Sequence, residues 1–235
     1  MHRKIKLYIF PMIILWSGIV IILSLTVPPL LAGEKSLSPG ESMKLPEPQF
    51  KSTTSLEETL LKRRSVREFT EDSLTIEQVS QLLWSAQGVT SKWGGRTSPS
   101  AGALYPLDIY LLAGKVKGLE PGFYHYEPDK HSITLKNDKD FREELTKASL
   151  DQKEISKAPV TLVIAAVYER TMKKYQQRGV RYVHMEVGSA GENIYLQCES
   201  LGLGTVFIGA FEDEEVKKVL GITEEPLAIF PVGKK

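Results

Sequence analysis

Val160-Thr161-Leu162-Val163-Ile164-Ala165-Ala166-Val167 is an almost unbroken apolar run of strand length, rich in β-branched residues. That is the pattern of a central strand buried on both faces. Working outward, the stretch 107–113 after Pro106 is a second strand candidate. Residues 122–126 and 132–135 form a hairpin around Glu127-Pro128-Asp129-Lys130. Downstream, Val183, Val187, Ala190, Ile194 and Cys198 recur at spacings of four and three, which predicts a helix over 180–201 stopped at Gly202. Strands at 204–208 and 227–232 follow, with a short helix at 212–220 between them. Near the start of this region Ser55 with Glu58, and Thr75 with Gln78, have capping-box spacing. They open helices through Leu56, Leu60 and Leu61 and through Ile76, Val79, Leu82, Leu83 and Ala86, the second ending at Gly88. Residues 91–103, rich in Ser and Gly, are a loop. Helices and strands mix without strict βαβ alternation, so the expected class is α+β, a mostly antiparallel sheet flanked by helices.

The chain has 235 residues, 30 of them basic and 29 acidic, for a net charge of +1. Such a balance offers nucleic acid no electrostatic footing. Hydrophobic residues at 42% and charged residues at 25% exclude a disordered chain. Cys198 is the single cysteine, which excludes an internal disulfide and any multi-cysteine metal site. With four histidines scattered along the chain, a histidine metal cluster is not expected either. His184 reads as a helix-surface or interface residue and Cys198 as a core residue.

The amino terminus is a separate object. Arg3, Lys4 and Lys6 precede a stretch from Leu7 to Gly33 without any charge, and residues 7–27 are long enough to cross a bilayer as a helix. Two readings stay open for residues 1–33: an uncleaved transmembrane anchor, or a signal sequence removed after Leu30-Leu31-Ala32. Either way, the basic start keeps the amino terminus in the cytoplasm and sends the bulk of the chain outside. Residues 34–53, with Pro39, Pro46 and Pro48 and no apolar period, are expected to be a tether. The folded domain is then expected over 54–235.

Three segments carry chemistry. Lys62-Arg63-Arg64-Ser65-Val66-Arg67-Glu68-Phe69 places four cations and a hydroxyl where a helix gives way to extended chain. Arginine forks match phosphate oxygens, although a solvated basic helix end has the same composition. Ser98-Pro99-Ser100-Ala101-Gly102-Ala103-Leu104-Tyr105-Pro106 is a small-residue loop that a flat ligand can approach. The third segment runs from Arg181 through Asn193 to Leu201-Gly202-Leu203-Gly204-Thr205 and Gly209-Ala210-Phe211. Its glycines end a helix and enter a strand, the reverse of a Rossmann fingerprint, so a dinucleotide site of that type is rejected.

From about Ser55 to the end, the chain resembles the nitroreductase superfamily of flavin enzymes, in its SagB-type dehydrogenase branch. That resemblance implies an FMN-dependent oxidoreductase passing a hydride or electrons between a reduced donor and a small-molecule acceptor. It implies that Arg63, Arg64, Ser65 and Arg67 bind the FMN phosphate and ribityl chain, with Lys234 as the closing basic residue. Pro99, Ser100, Ala101 and Gly102 would pack near the ring from a second subunit of a homodimer. Gly209 and Ala210 would turn backbone N–H groups toward the N5 edge. Lys174 and Tyr175 are the candidates for the branch's Lys–Tyr catalytic pair. Gly191-Glu192-Asn193 departs from the more usual Ala-Gln-Asn, which leaves the role of Glu192 open. A flavin-binding carrier or sensor without turnover is the alternative.

Overall fold

In the computed structural model, which describes residues 37–235, the run at 160–166 lies inside a seven-stranded sheet between two antiparallel neighbours. Along the chain the elements are β1 (Ser42–Lys44), α1 (Leu56–Lys62), β2 (Leu74–Thr75), α2 (Ile76–Gln87), β3 (Leu107–Ala113), β4 (Val116–Lys117), β5 (Gly122–Glu127) and β6 (Ser132–Asn137). They continue with α3 (Arg142–Ala148), α4 (Glu154–Lys157), β7 (Val160–Ala166), α5 (Tyr168–Tyr175), α6 (Arg178–Ser200), β8 (Leu203–Thr205), α7 (Asp213–Leu220) and β9 (Glu225–Lys234). The main sheet has the order β1-β6-β5-β3-β7-β9-β8, and every neighbouring pair in it is antiparallel. β2 and β4 make a separate short parallel pair. This is the α+β, mostly antiparallel arrangement expected.

The composition of β7 follows from its place. Leu162 and Ile164 enter one core with Leu82, Ala86, Val183, Ala190 and Ile194 of α2 and α6. Val163 and Ala165 enter the other with Leu145, Ile155, Val216 and Leu220 of α3, α4 and α7. A pleated strand sends successive side chains to opposite faces, so only a strand covered on both sides is apolar at every step. Local signals hold as well. The Thr75–Gln78 capping box is complete and Gly88 closes α2. Gly202, at φ +68°, takes the left-handed conformation that ends α6 and turns the chain into β8.

The expected tether is corrected. Residues 42–44 form β1, with Met43 opposite Ile133 of β6, and Leu45 is 3% exposed in the core. The Pro46 carbonyl accepts from the Ser80 hydroxyl and lies 2.9 Å from His131 Nε2, while the Gln49 N–H donates to the Gln81 side chain. A three-residue strand is too short to display alternation, and the neighbouring prolines mask it. The domain therefore begins at or before Leu37, not near Thr54. A protein starting at Thr54 is expected to be less stable than one starting at Leu37 by at least the cost of losing a buried leucine, about 2–5 kcal/mol. Urea unfolding of the two chains measures this, and equal midpoints would show that the arm adds nothing.

The expected span at 7–27 lies outside the described residues. Among the described residues no helix is long and apolar enough to cross a membrane.

Candidate functional site

After α1 the chain runs beside β8: the Val66 N–H donates to the Thr205 carbonyl at 2.8 Å, and Ser65 pairs with Thr205. Gly204 permits this approach, because a Cβ there would stand 2.7 Å from the Val66 Cβ. Next along the sheet edge, Leu203 pairs with Lys234, whose carbonyl accepts from the Thr70 N–H. These contacts gather Arg63, Arg64, Ser65, Arg67 and Lys234 along the β8–β9 margin. The cations there are loosely engaged. Arg63 Nε is 4.0 Å from Glu192, Arg67 Nε is 3.6 Å from Glu154 and Lys234 Nζ is 3.9 Å from Asp72. Among the described residues the Arg64 guanidinium bonds the carbonyls of Leu61 and Arg63 alone. Pairs at 3.6–4.0 Å are longer than a hydrogen bond, so the margin can accept an anion without breaking a strong contact. Lys235, by contrast, is committed to both oxygens of Glu199 at 2.8 and 2.7 Å.

Tyr195 of α6 ties this margin to the next segment. Its hydroxyl lies 3.0 Å from Ser65 Oγ and accepts the Phe207 N–H at 2.8 Å, and the Arg63 guanidinium sits 5.0 Å above its ring. Phe207 leans on Phe230, ring centroids 4.8 Å apart, over Gly191, where a Cβ would lie 2.8 Å from Phe230. Ile208 pairs with Ile229. Beyond it Gly209 and Ala210 are exposed, and among the described residues neither N–H has a protein acceptor. The Ala210 carbonyl is fixed by Gln152 at 2.7 Å. Two exposed donors, linked through Phe207 and Tyr195 to a basic edge, match a ligand with a phosphate at one end and acceptor atoms at the other.

The small-residue loop lies elsewhere on α6. Asn193 Nδ2 donates to Ser98 Oγ at 3.1 Å, and Glu186 Oε1 accepts the Ala101 N–H at 2.8 Å. Gly102 faces α5 so closely that a Cβ would lie 2.9 Å from the Tyr175 hydroxyl and 3.1 Å from Lys174 Nζ. Loop 98–102 and the Lys174–Tyr175 pair, nominated separately, thus meet. Glu186 and Asn193, seven residues apart, share one face of α6, while Gly191, Glu192 and Tyr195 lie around the helix from them. Among the described residues no hydrogen bond or ion pair joins the Arg63–Ser65 margin to the Pro99–Gly102 loop; α6 turns Glu192 toward the first and Glu186 toward the second.

A family model described as the Nitroreductase family matches residues 60–234. The chain belongs to the nitroreductase family. A protein of Methanocaldococcus jannaschii named as a nitroreductase is 48% identical over 196 residues, 83% of this chain and 98% of that protein. The microcin B17-processing protein McbC of Escherichia coli is 27% identical over 165 residues, 67% of this chain and 60% of McbC. Among solved structures, one from Ralstonia eutropha named as a nitroreductase superposes with a TM-score of 0.73 at 31% identity, covering 85% of this chain and 92% of that one. This nitroreductase is accordingly an oxidoreductase of a flavin-dependent kind.

Other residues find their places. Cys198 is 1% exposed and burial pushes its thiol up, so it is a core residue. His184 is on the helix surface, Nε2 2.5 Å from the Tyr168 hydroxyl. Glu192, left open above, faces Arg63. Sequence reasoning missed Tyr195 and Glu186. For Glu186 a signal existed: it is an acid on the Val183–Val187–Ala190 stripe, where an apolar residue belongs.

Proposed function

We propose that this nitroreductase is an FMN-dependent enzyme that passes a hydride or electrons between a reduced donor and a small-molecule acceptor. The observation that carries the reading is the Tyr195 hydroxyl, which joins Ser65 of the basic margin to the Phe207 N–H two residues before the exposed Gly209 and Ala210. Arg63, Arg64, Arg67 and Lys234 would neutralise the phosphate, Ser65 would donate to it or to the ribityl chain, and the two N–H groups would face the N5 edge. Bound FMN supplies the redox chemistry. The chain's residues bind it, orient it and keep acceptor atoms paired. Lys174 and Tyr175 are the proposed catalytic pair, set against the Pro99–Gly102 loop. The proposed assembly is a homodimer in which each copy lends its Pro99–Gly102 loop to the other's flavin, because different faces of α6 hold that loop and the basic margin. We also assign residues 7–27 as the membrane anchor and place the domain outside the cytoplasm, on the strength of the uncharged run and the basic start; cleavage as a secretion signal is the alternative. Protease added to spheroplasts is expected to digest the domain.

The test is the visible spectrum of purified protein together with turnover. Oxidised-flavin absorption at one FMN per chain, bleached by a reduced donor and restored by an acceptor, supports the enzyme. Flavin bound without turnover favours a carrier or sensor, and protein without flavin overturns the reading.

A further inference from the structure

The turn that brings Gly102 to α5 is strained. Gly102 has φ +65°, and Ala103 at +54° and Tyr105 at +46° adopt left-handed backbone without glycine's freedom. Left-handed backbone at a residue with a Cβ is a strain that persists only where the surroundings over-determine it. The surroundings do so here. The Tyr105 N–H donates to Ser100 Oγ at 2.8 Å, the Arg96 guanidinium lies 4.3 Å over the Tyr105 ring, and Arg170 reaches the Tyr105 carbonyl at 3.3 Å. The remaining restraint is Glu186. It is 5% exposed, its Oε1 accepts the Ala101 N–H at 2.8 Å, and its Oε2 is buried without a hydrogen-bond partner among the described residues.

We propose that Glu186 is a positioning residue whose carboxyl holds the 100–105 turn in its strained form, and so fixes Gly102 against the Tyr175 hydroxyl and the Lys174 ammonium. The proposal rests on the flavin reading only for what that pair then does. An ionised carboxylate with one oxygen buried and unpaired is unfavourable, whereas a protonated one loses little and keeps Oε1 as an acceptor. Burial is the main cause that raises the Glu186 carboxyl above its ordinary range, opposed by the bonds from Ala101 and Ser100. Among the described residues no charged side chain of α5, of the loop or of its own helix acts on it; the groups that do are the Ala101 N–H and the Ser100 side chain of the turn. Burial disfavours the ionised form while the Ala101 N–H favours it, and either form keeps Oε1 as an acceptor for the clamp.

Glu186→Gln keeps the acceptor and cannot ionise, while Glu186→Ala removes both. Amide hydrogen exchange is measured on the protein as purified. In Glu186→Ala, exchange at 101–105 is expected to speed up about tenfold, the effect of one lost hydrogen bond, and to stay near wild type in Glu186→Gln. Stability against pH gives the second readout. A carboxyl raised in the folded state gives its full contribution below the unfolded pKa and loses it as pH rises toward the folded one. Glu186→Gln should therefore match wild type below about pH 4.5, the unfolded value, and gain on it above. On flavin-loaded protein, reduction of a nitroaromatic acceptor should slow about tenfold in Glu186→Ala, with FMN content unchanged, and recover in Glu186→Gln. Wild-type exchange in Glu186→Ala, or equal loss in both variants, overturns the proposal. Wild-type protein that holds no FMN overturns the flavin reading instead, because exchange at 101–105 is measured without it.

Discussion

Arg67→Ala is expected to weaken FMN binding by about 1.5–3 kcal/mol, roughly tenfold to a hundredfold or more in Kd, the range for losing a charge-assisted hydrogen bond. Its side chain is 62% exposed and its contact to the more buried Glu154, 12% exposed, is 3.6 Å, beyond hydrogen-bond length, so the fold gives up one loose ion pair without it. Binding and stability should therefore separate: affinity falls while the melting temperature stays close to wild type. Arg64→Ala is expected in the same range, since among the described residues the only bonds its guanidinium gives up are to the carbonyls of Leu61 and Arg63. Calorimetric titration of flavin-free protein with FMN measures both. If both variants bind as wild type does, the phosphate lies elsewhere.

Phe230→Ala is expected to have the opposite signature. Phe230 is fully buried at 0% exposure, and it backs the rings of Phe207 at 4.8 Å and Tyr195 at 6.3 Å. Removing a buried aromatic ring costs about 3–5 kcal/mol. In a domain of this size that lowers the melting temperature by roughly 6–20 °C. Because Tyr195 also joins Ser65 to the Phe207 N–H, the cavity should loosen the flavin margin too. Scanning calorimetry decides, and a shift under about 3 °C would mean that the neighbours collapse into the space.

Legibility in the sequence tracked segment length and repetition. The 160–167 run, the capping residues Thr75 and Gln78 and the α6 stripe were visible because each repeats a period or completes a motif. β1 was hidden because three residues show no period. α5 was hidden because it is only eight residues long and its apolar face, Tyr168, Met172 and Tyr175, is half-buried among charged neighbours, with Thr171 its one buried residue. In the candidate site, composition marked the segments holding Arg63, Ser65, Arg67 and Gly102, and the family resemblance gave those residues their roles. Tyr195 was passed over because its role depends on a hydroxyl meeting Ser65, which stands 130 positions away in sequence. Long-range hydrogen bonds leave no local trace.

The lengths of the strands bear on solubility. β1 and β8, the outermost strands of the main sheet, have three residues each, while those between them have six to ten. Unpaired backbone along a long, flat margin is a template for a second chain, and very short terminal strands reduce it. The amino-terminal arm thus shields β6, whose Ser132-Ile133-Thr134-Leu135 segment carries no charge. A nick or truncation that frees the arm bares that segment, so loss of the arm turns a folding domain into one prone to edge-to-edge aggregation.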